Sequence, residues 1–228
     1  MWASSFLAAK DGLVQVNRPG EKLSALILAG GLSKRMGSDK AWLDLGGLPL
    51  IEHVSRRVLP LADELIFSTN TPDRYGPLLR RLSLPAHLVT DETPGTGPLA
   101  GIASGLRIAR HDLVLVLAVD MPFVQVELLS YLAELAADYQ AVVPETLDPQ
   151  SGELAAEPLH AFYRRSCLAT ITAHLQAGHR QIVSFLSDVR TRWVLPDEIA
   201  RFDPDLLSFR NLNTPADWDL AVSHFARH

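Results

Sequence analysis

Cysteine is almost absent: among 228 residues there is one, Cys167. A single thiol excludes an internal disulfide and a cysteine-rich zinc site, and it fits the reducing cytoplasm where the protein is expected to act. Set between apolar and basic residues in YRRSCLATI, Cys167 reads as a buried, inert thiol. No apolar run comes near the roughly 20 residues that a membrane-spanning helix needs, so no membrane partner is expected. A long basic stretch is missing too, and the formal charge is −5, so nucleic acid is not expected as a partner. The opening MWASSFLAAKDGLVQVNRPGEK lacks the basic start and apolar centre of a secretory signal. What is present is ordinary globular material, 47% hydrophobic and 21% charged.

Residues 1–22 read as an amino-terminal extension closed by the turn signal Pro19-Gly20, mobile unless Trp2 and Phe6 dock on the body or a partner. Residues 23–228 read as one domain. From Leu23 onward, strand-like and helix-like segments alternate. LSALILA (23–29), ELIFST (64–69), AHLVT (86–90), DLVLVLAV (112–119), QAVVP (140–144) and residues 158–163 read as strands, the first a run buried on both faces. Helical spacing marks PLIEHVSRRVL, with Pro49 in its first turn, then PLAGIASGLRIAR (98–110) and VELLSYLAELAADY (126–139). A further helix ends at Gly178, and a terminal one spans 214–227 with Thr214 as its N-cap. This alternation implies parallel strands joined by right-handed crossovers, hence a three-layer αβα sandwich of the α/β class.

The stretch LILAGGLSKRMGSDK (26–40) sets two glycines directly after the first strand and follows them with positive charge. It is not a Walker A loop, because five residues separate Gly31 from Gly37 and no Gly-Lys pair follows. Nor is it a G-x-G-x-x-G dinucleotide fingerprint. Ligands of open α/β sheets nonetheless bind at this carboxyl edge. Gly30 and Gly31 permit positive φ and close backbone approach, and Lys34, Arg35 and Lys40 can neutralise a phosphate chain. A glycine pair in this position also serves as a plain turn, and exposed basic residues are commonly just solvated.

LILAGGLSKRMGSDKAWLDLGGLPLIEHV resembles the L-A-G-G-x-S-x-R-M-G-x-D-K and L-x-G-x-P-L signature of nucleotidyltransferases. Its spelling is especially similar to the molybdenum cofactor guanylyltransferases, which join GMP from GTP to molybdopterin and release pyrophosphate. TDETPGTGPLAGIASGL is similar to the family's second motif, VLVLAVDMPFV to its third and RNLNTPADW to its carboxy-terminal segment, so the likeness spans about residues 23–226. It implies a Rossmann-like, mostly parallel sheet of the nucleotide-diphospho-sugar transferase type.

The resemblance also implies roles. Leu28, Ala29, Gly30 and Gly31 would give backbone contacts to guanine or phosphates, with Arg35 and Lys40 as the charge clamp. Asp91, Gly97, Pro98 and Leu99 would help seat GTP, where a glycine turn meets a helix amino terminus. Asp120, just past a buried central strand, is the candidate Mg²⁺ carboxylate; on position alone it can equally be a structural cap. One of Ser68, Thr69 and Asn70 would contact the base. Asn211 and Asn213, with Arg165, His179 and Arg180, are candidates for the second substrate, while His111, His174 and His224 read as surface or packing residues. The implied substrates are GTP and molybdopterin, with transient contacts to molybdenum-insertion proteins and molybdoenzyme chaperones. Two other readings stay open: a CTP-using sister enzyme or one with another phosphorylated acceptor, and a non-catalytic nucleotide-binding protein that delivers cofactor.

Overall fold

A computed structural model of the chain describes residues 20–30, 39–90, 97–148 and 150–225. Most of the amino-terminal extension therefore lies outside the described residues, as do Trp2, Phe6, Gly31, Lys34, Arg35 and Asp91. In chain order the elements are β1 (Leu23–Leu28), β2 (Asp44–Leu45), β3 (Leu48–Pro49), α1 (Leu50–Val58), β4 (Glu64–Ser68), α2 (Gly76–Leu79) and β5 (Ala86–Val89). Then come α3 (Pro98–Ile108), β6 (Leu113–Ala118), α4 (Val126–Leu135), β7 (Ala141–Leu147), β8 (Leu154–Ala156) and β9 (His160–Arg164). The chain finishes with α5 (Cys167–Gln176), β10 (Thr191–Val194), α6 (Pro196–Ile199) and α7 (Pro215–Phe225).

The main sheet has the order β10-β7-β9-β6-β1-β4-β5, with β8 paired to β7. Strand β1 lies inside the sheet beside the central β6, parallel to both β4 and β6. Period-two alternation splits the side chains of β1 between two cores. Leu23, Ala25 and Ile27 pack with Leu50, Ile51 and Val54 of α1, with Leu128, Leu129 and Leu132 of α4 and with Ala221 of α7. Leu26 faces the other way, toward Leu99, Ile102 and Leu106 of α3 and Cys167 and Ile171 of α5. Helices thus cover both faces, which is why β1 and β6 read as unbroken apolar runs. Cys167 is buried, its thiol donates to the Gln140 carbonyl at 3.2 Å, and burial pushes it up to about 12. Among the described residues no helix is long and apolar enough to cross a membrane.

Three details differ from the sequence reading. Strand β9 runs antiparallel to β6 and β7, because the described residues within 148–159 hold the short strand β8 and no crossover helix, so the chain folds back on itself. Pro49 ends β3 and precedes α1. It belongs to a small hairpin whose two turn residues, Gly46 and Gly47, have φ of 67° and 94°. Such a two-residue connection needs positive φ at both positions, which is what the glycine pair supplies. Helix α4 stops at Leu135 and tightens into a 3-10 turn over Ala136–Asp138.

Close packing at one glycine gives a first testable consequence. A Cβ on Gly105 of α3 would stand 2.3 Å from Cδ2 and 2.7 Å from Cδ1 of the fully buried Leu26. Gly105→Ala should therefore destabilise by about 1–3 kcal/mol through overpacking, against the gain of about 1 kcal/mol that alanine usually brings to a helix. Urea unfolding measures the sign, and a stabilised variant would show that α3 is free to move off the sheet.

His160 gives a second. Its ring is fully buried on β9, 4.9 Å from that of Phe209, and neither ring nitrogen has a hydrogen-bond partner among the described residues. Burial pushes the imidazole down from 6.5 to about 3. The folded protein then stays neutral where the unfolded chain takes up a proton, so stability is full above pH ~6.5 and declines as pH falls toward 3, with a slope of at most about 1.4 kcal/mol per pH unit from this group. His160→Leu should flatten that part of the profile, read as denaturant midpoints at several pH values; an unchanged slope would assign the acid sensitivity elsewhere.

Candidate active site

The carboxyl ends of β1, β4, β5 and β6 stop together, and the backbone stays zipped one residue further. Ala29 N–H donates to the Ser68 carbonyl (2.8 Å), Thr69 N–H to that of Val89 (2.9 Å) and Val119 N–H to that of Leu28 (3.1 Å). This alignment fixes the next residues, Gly30, Asn70 and Asp120, along one rim. Gly30 does not use the positive φ that glycine permits. A Cβ there would lie 3.4 Å from the Asn70 side-chain nitrogen, so its smallness serves close approach to that amide. Of the three polar residues at the end of β4 and just beyond it, Ser68 and Thr69 are buried and Asn70 is exposed, so Asn70 is the one that can present a side chain to a ligand.

Lys40 opens a 3-10 turn over Lys40–Trp42 that Asp39 caps by accepting from Ala41 N–H at 3.2 Å. The other oxygen of Asp39 accepts the Thr71 hydroxyl at 2.9 Å and lies 3.6 Å from Arg74, whose guanidinium sits over the Trp42 ring at 5.2 Å. The lysine turn is thereby tied to the loop after β4. Sequence reasoning missed Asp39, Thr71 and Arg74; the Asp-Lys pair in GSDK was the available signal for the first.

From this turn the Lys40 ammonium donates to Asp120 Oδ2 at 3.1 Å and to Asn213 Oδ1 at 2.8 Å. Asp120 is also held through its backbone, since its carbonyl accepts from Leu212 N–H at 2.9 Å. Asn213 is held by the start of α7. Its N–H and that of Thr214 donate to Asp217 Oδ2 at 3.1 and 2.8 Å, and Thr214 Oγ1 accepts in return from Asp217 N–H at 3.2 Å. Thr214 is thus the N-cap that the sequence suggested, and its bonds, its side chain's first, hold the Asp217 carboxyl below the usual range. Upstream, the buried carboxylate of Asp203 accepts from Leu207 and Ser208 N–H at 2.9 and 2.7 Å, and Leu206 takes the unusual φ of 51°. Half-buried Asn211 lies two residues before Asn213 on this strap.

The Lys40 and Asp120 side chains keep 15% and 24% of their exposure, so the ion pair is part-buried and the desolvation of both charges offsets much of its attraction. Its charges remain available to a ligand. Among the described residues no group of three His, Cys, Asp or Glu side chains could hold a metal. A lone carboxylate with room for water suits a hard cation that arrives with phosphate oxygens, as Mg²⁺ does, better than a transition metal with its own protein cage.

The second wall of the rim is the start of α3. Gly97 there has φ 83° and ψ −177°, Pro98 is the first helical residue, and the helix amino end faces the rim. Leu99 is fully buried in the core, leaving only its backbone for a ligand. The Arg180 carbonyl lies 3.9 Å from where a Cβ of Gly97 would stand, so Arg180 joins the rim from the far side of α3. Arg165 does not. Its Nε donates to the Leu106 carbonyl at the other end of α3 and its N–H to Asp112, ahead of β6, on the opposite edge of the sheet. Because β9 is antiparallel, its last residues return to the amino edge, and Arg165 is withdrawn from the second-substrate set.

A family model described as MobA-like NTP transferase domain matches residues 25–190. The chain belongs to that family. A molybdenum cofactor guanylyltransferase of Syntrophotalea carbinolica is 36% identical over 196 residues, covering 86% of this chain and 89% of that relative. The solved molybdopterin-guanine dinucleotide biosynthesis protein A of Archaeoglobus fulgidus superposes with a TM-score of 0.73 at 28% identity, over 90% of this chain and all of that one. The 2-C-methyl-D-erythritol 4-phosphate cytidylyltransferase of Thermus thermophilus, at TM-score 0.68 and 21% identity over 91% of this chain and all of its own, shares the fold. Enzymes of this family generally use a divalent metal.

Gly97 carries a prediction. Its φ and ψ lie in a region that only glycine occupies readily, so Gly97→Ala should cost roughly 1–3 kcal/mol although 3.9 Å of space is open. A thermal unfolding midpoint equal to that of the unaltered chain would show that the α3 turn relaxes freely.

Proposed function

We propose that this chain transfers GMP from GTP to molybdopterin, forming molybdopterin guanine dinucleotide and pyrophosphate. The observation that carries this reading is the Lys40 ammonium bridging Asp120 and Asn213, three residues from three separate family motifs brought to one point at the carboxyl rim. A delivery protein that only binds nucleotide would have no need of a metal carboxylate beside that cation.

In the proposed reaction a terminal phosphate oxygen of molybdopterin attacks the α-phosphorus of GTP in line. The new P–O bond forms as the bond to the bridging oxygen breaks, and that electron pair leaves with pyrophosphate. Positioning and charge neutralisation supply most of the catalysis in such transfers. Gly30 and Asn70 would receive the nucleotide on one side and the α3 amino terminus would receive its phosphates on the other. Lys40 would neutralise charge on the α-phosphate and on the leaving group, and Arg35 is assigned the same task from the preceding loop. Mg²⁺ held by Asp120 and phosphate oxygens would supply Lewis-acid and template chemistry. Asn211 and Arg180 would face the incoming cofactor, while Asn213 keeps the lysine aimed. Molybdenum-insertion proteins and molybdoenzyme chaperones are the partners expected to supply and remove that cofactor in the cytoplasm.

The test is to incubate the purified chain with molybdopterin, Mg²⁺ and each nucleoside triphosphate, and to measure dinucleotide and pyrophosphate together. GTP should give both products; CTP as the better substrate would reassign the base, and no product with any triphosphate would remove the reading. Asp120→Ala and Lys40→Ala should each lower transfer by roughly 10²–10³-fold. Their unfolding midpoints should stay close to the unaltered chain, since the ion pair contributes little stability.

A further inference from the structure

The turn after α5 joins His179, a second-substrate candidate by resemblance alone, to His174 and Asp188, which have no role above. Gly178 takes φ 83°, its N–H donates to the Leu175 carbonyl (3.1 Å) and His179 N–H to that of His174 (2.9 Å). This is the glycine-closed helix end in which the two side chains flanking the turn usually make an apolar contact. Here the contact joins two imidazoles, His174 and His179, with Nδ1 facing Nδ1 at 3.2 Å and ring centres 5.2 Å apart. On its other side, His174 Nε2 meets Asp188 Oδ2 at 2.7 Å.

For a neutral His174, the hydrogens in this chain of side chains follow from the partners of each atom. A carboxylate only accepts, so the hydrogen between Asp188 and His174 sits on Nε2. In a neutral ring, Nδ1 of His174 is then an acceptor. Ser184 Oγ lies 3.2 Å from that nitrogen, but its hydroxyl hydrogen is directed to the Gln181 carbonyl at 2.7 Å. The hydrogen between the rings therefore belongs to His179 Nδ1, and His179 Nε2 is left as a lone-pair acceptor. No partner meets it among the described residues.

That acceptor borders a hollow of ≈ 290 Å³ lined by both histidines, Arg180, Gln181 and Ser184. The hollow adjoins the rim, since the carbonyl of its lining residue Arg180 stands 3.9 Å from where a Cβ of Gly97, at the start of α3, would be. We propose that His179 Nε2 accepts a hydrogen bond from a ring N–H or amino group of the second substrate's heterocycle, with His174 and Asp188 as positioning residues that fix its tautomer. A neutral lone pair repels an anion, so the phosphate of that substrate falls to Arg180 and Lys40, and the N–H donor falls to His179. This inference rests on the transfer reaction proposed above.

The experiment separates the KM for molybdopterin from that for GTP. His179→Ala and His174→Phe should raise the molybdopterin KM roughly 3- to 10-fold, the worth of one hydrogen bond, while the GTP KM moves less than about twofold. His179→Gln, which keeps an acceptor oxygen, should recover most of the loss. Nitrogen-15 spectra of the ligand-free protein give a second readout: His179 should be the Nδ1–H tautomer in the unaltered chain and shift toward Nε2–H in Asp188→Asn and His174→Phe. An unchanged molybdopterin KM in His179→Ala, or a His179 that is already Nε2–H in the unaltered chain, overturns the inference and leaves the transfer reading intact. If the unaltered chain transfers no GMP, the transfer reading fails. Direct titration with molybdopterin then decides the acceptor by whether His179→Ala weakens binding.

Discussion

One ammonium group organises the rim. Lys40 reaches Asp120 across 80 residues of chain and Asn213 across 173, and neither partner could be so placed unless the sheet and both helical layers were already in register. The pair does not hold the fold together, because the desolvation of two part-buried charges offsets their attraction. The dependence runs the other way: the two cores fix β1 and β6, these fix Gly30 and Asp120, and the lysine is delivered to them. A cation and a carboxylate that are cheap to separate are what a phosphate-handling site requires, since both must exchange each other for ligand.

The delivery is done by polar ties set around the rim. Asp39 fastens the lysine turn to Thr71 and Arg74; Asp203 shapes the strap over 203–213; Asp217 and Thr214 clamp its far end at α7. Each is a carboxylate that accepts more than one donor, which suits irregular backbone that has no ladder to satisfy its N–H groups. The Asp188–His174–His179 chain belongs to the same pattern on the opposite wall, where a helix end again needed a side chain to define it. Rigid sheet edge and carboxylate-tied loops together give a groove preorganised in its charges.

The written sequence carried much of this. Apolar runs marked β1, bounded by glycine, and β6, since strands covered on both faces leave no alternation, and Thr214 with Pro215 marked the start of α7. The glycine-rich spelling of 26–40 and the Asp-Met-Pro segment marked the rim, because such loops admit few other residues. Less legible were β9, read with the parallel strands though it runs back, and Arg165, which looked like a ligand residue and lies on the other edge. Strand direction depends on what the connection between strands contains, and residues 148–159 carry no helical or strand periodicity strong enough to tell.

Local chemistry is therefore what the sequence by itself determined: which segments are buried, where glycine lets the backbone approach, and which cations and carboxylates are candidates to meet phosphate. Tertiary structure decided the pairings. That Asn213 steadies Lys40, that Asn70 rather than Ser68 faces the groove, and that two imidazoles share one hydrogen beside Arg180 are all contacts between residues set next to one another by packing. Periodicity and composition record the environment of a residue along its own element. They do not record which distant residue shares that environment, and the rim is built from such meetings.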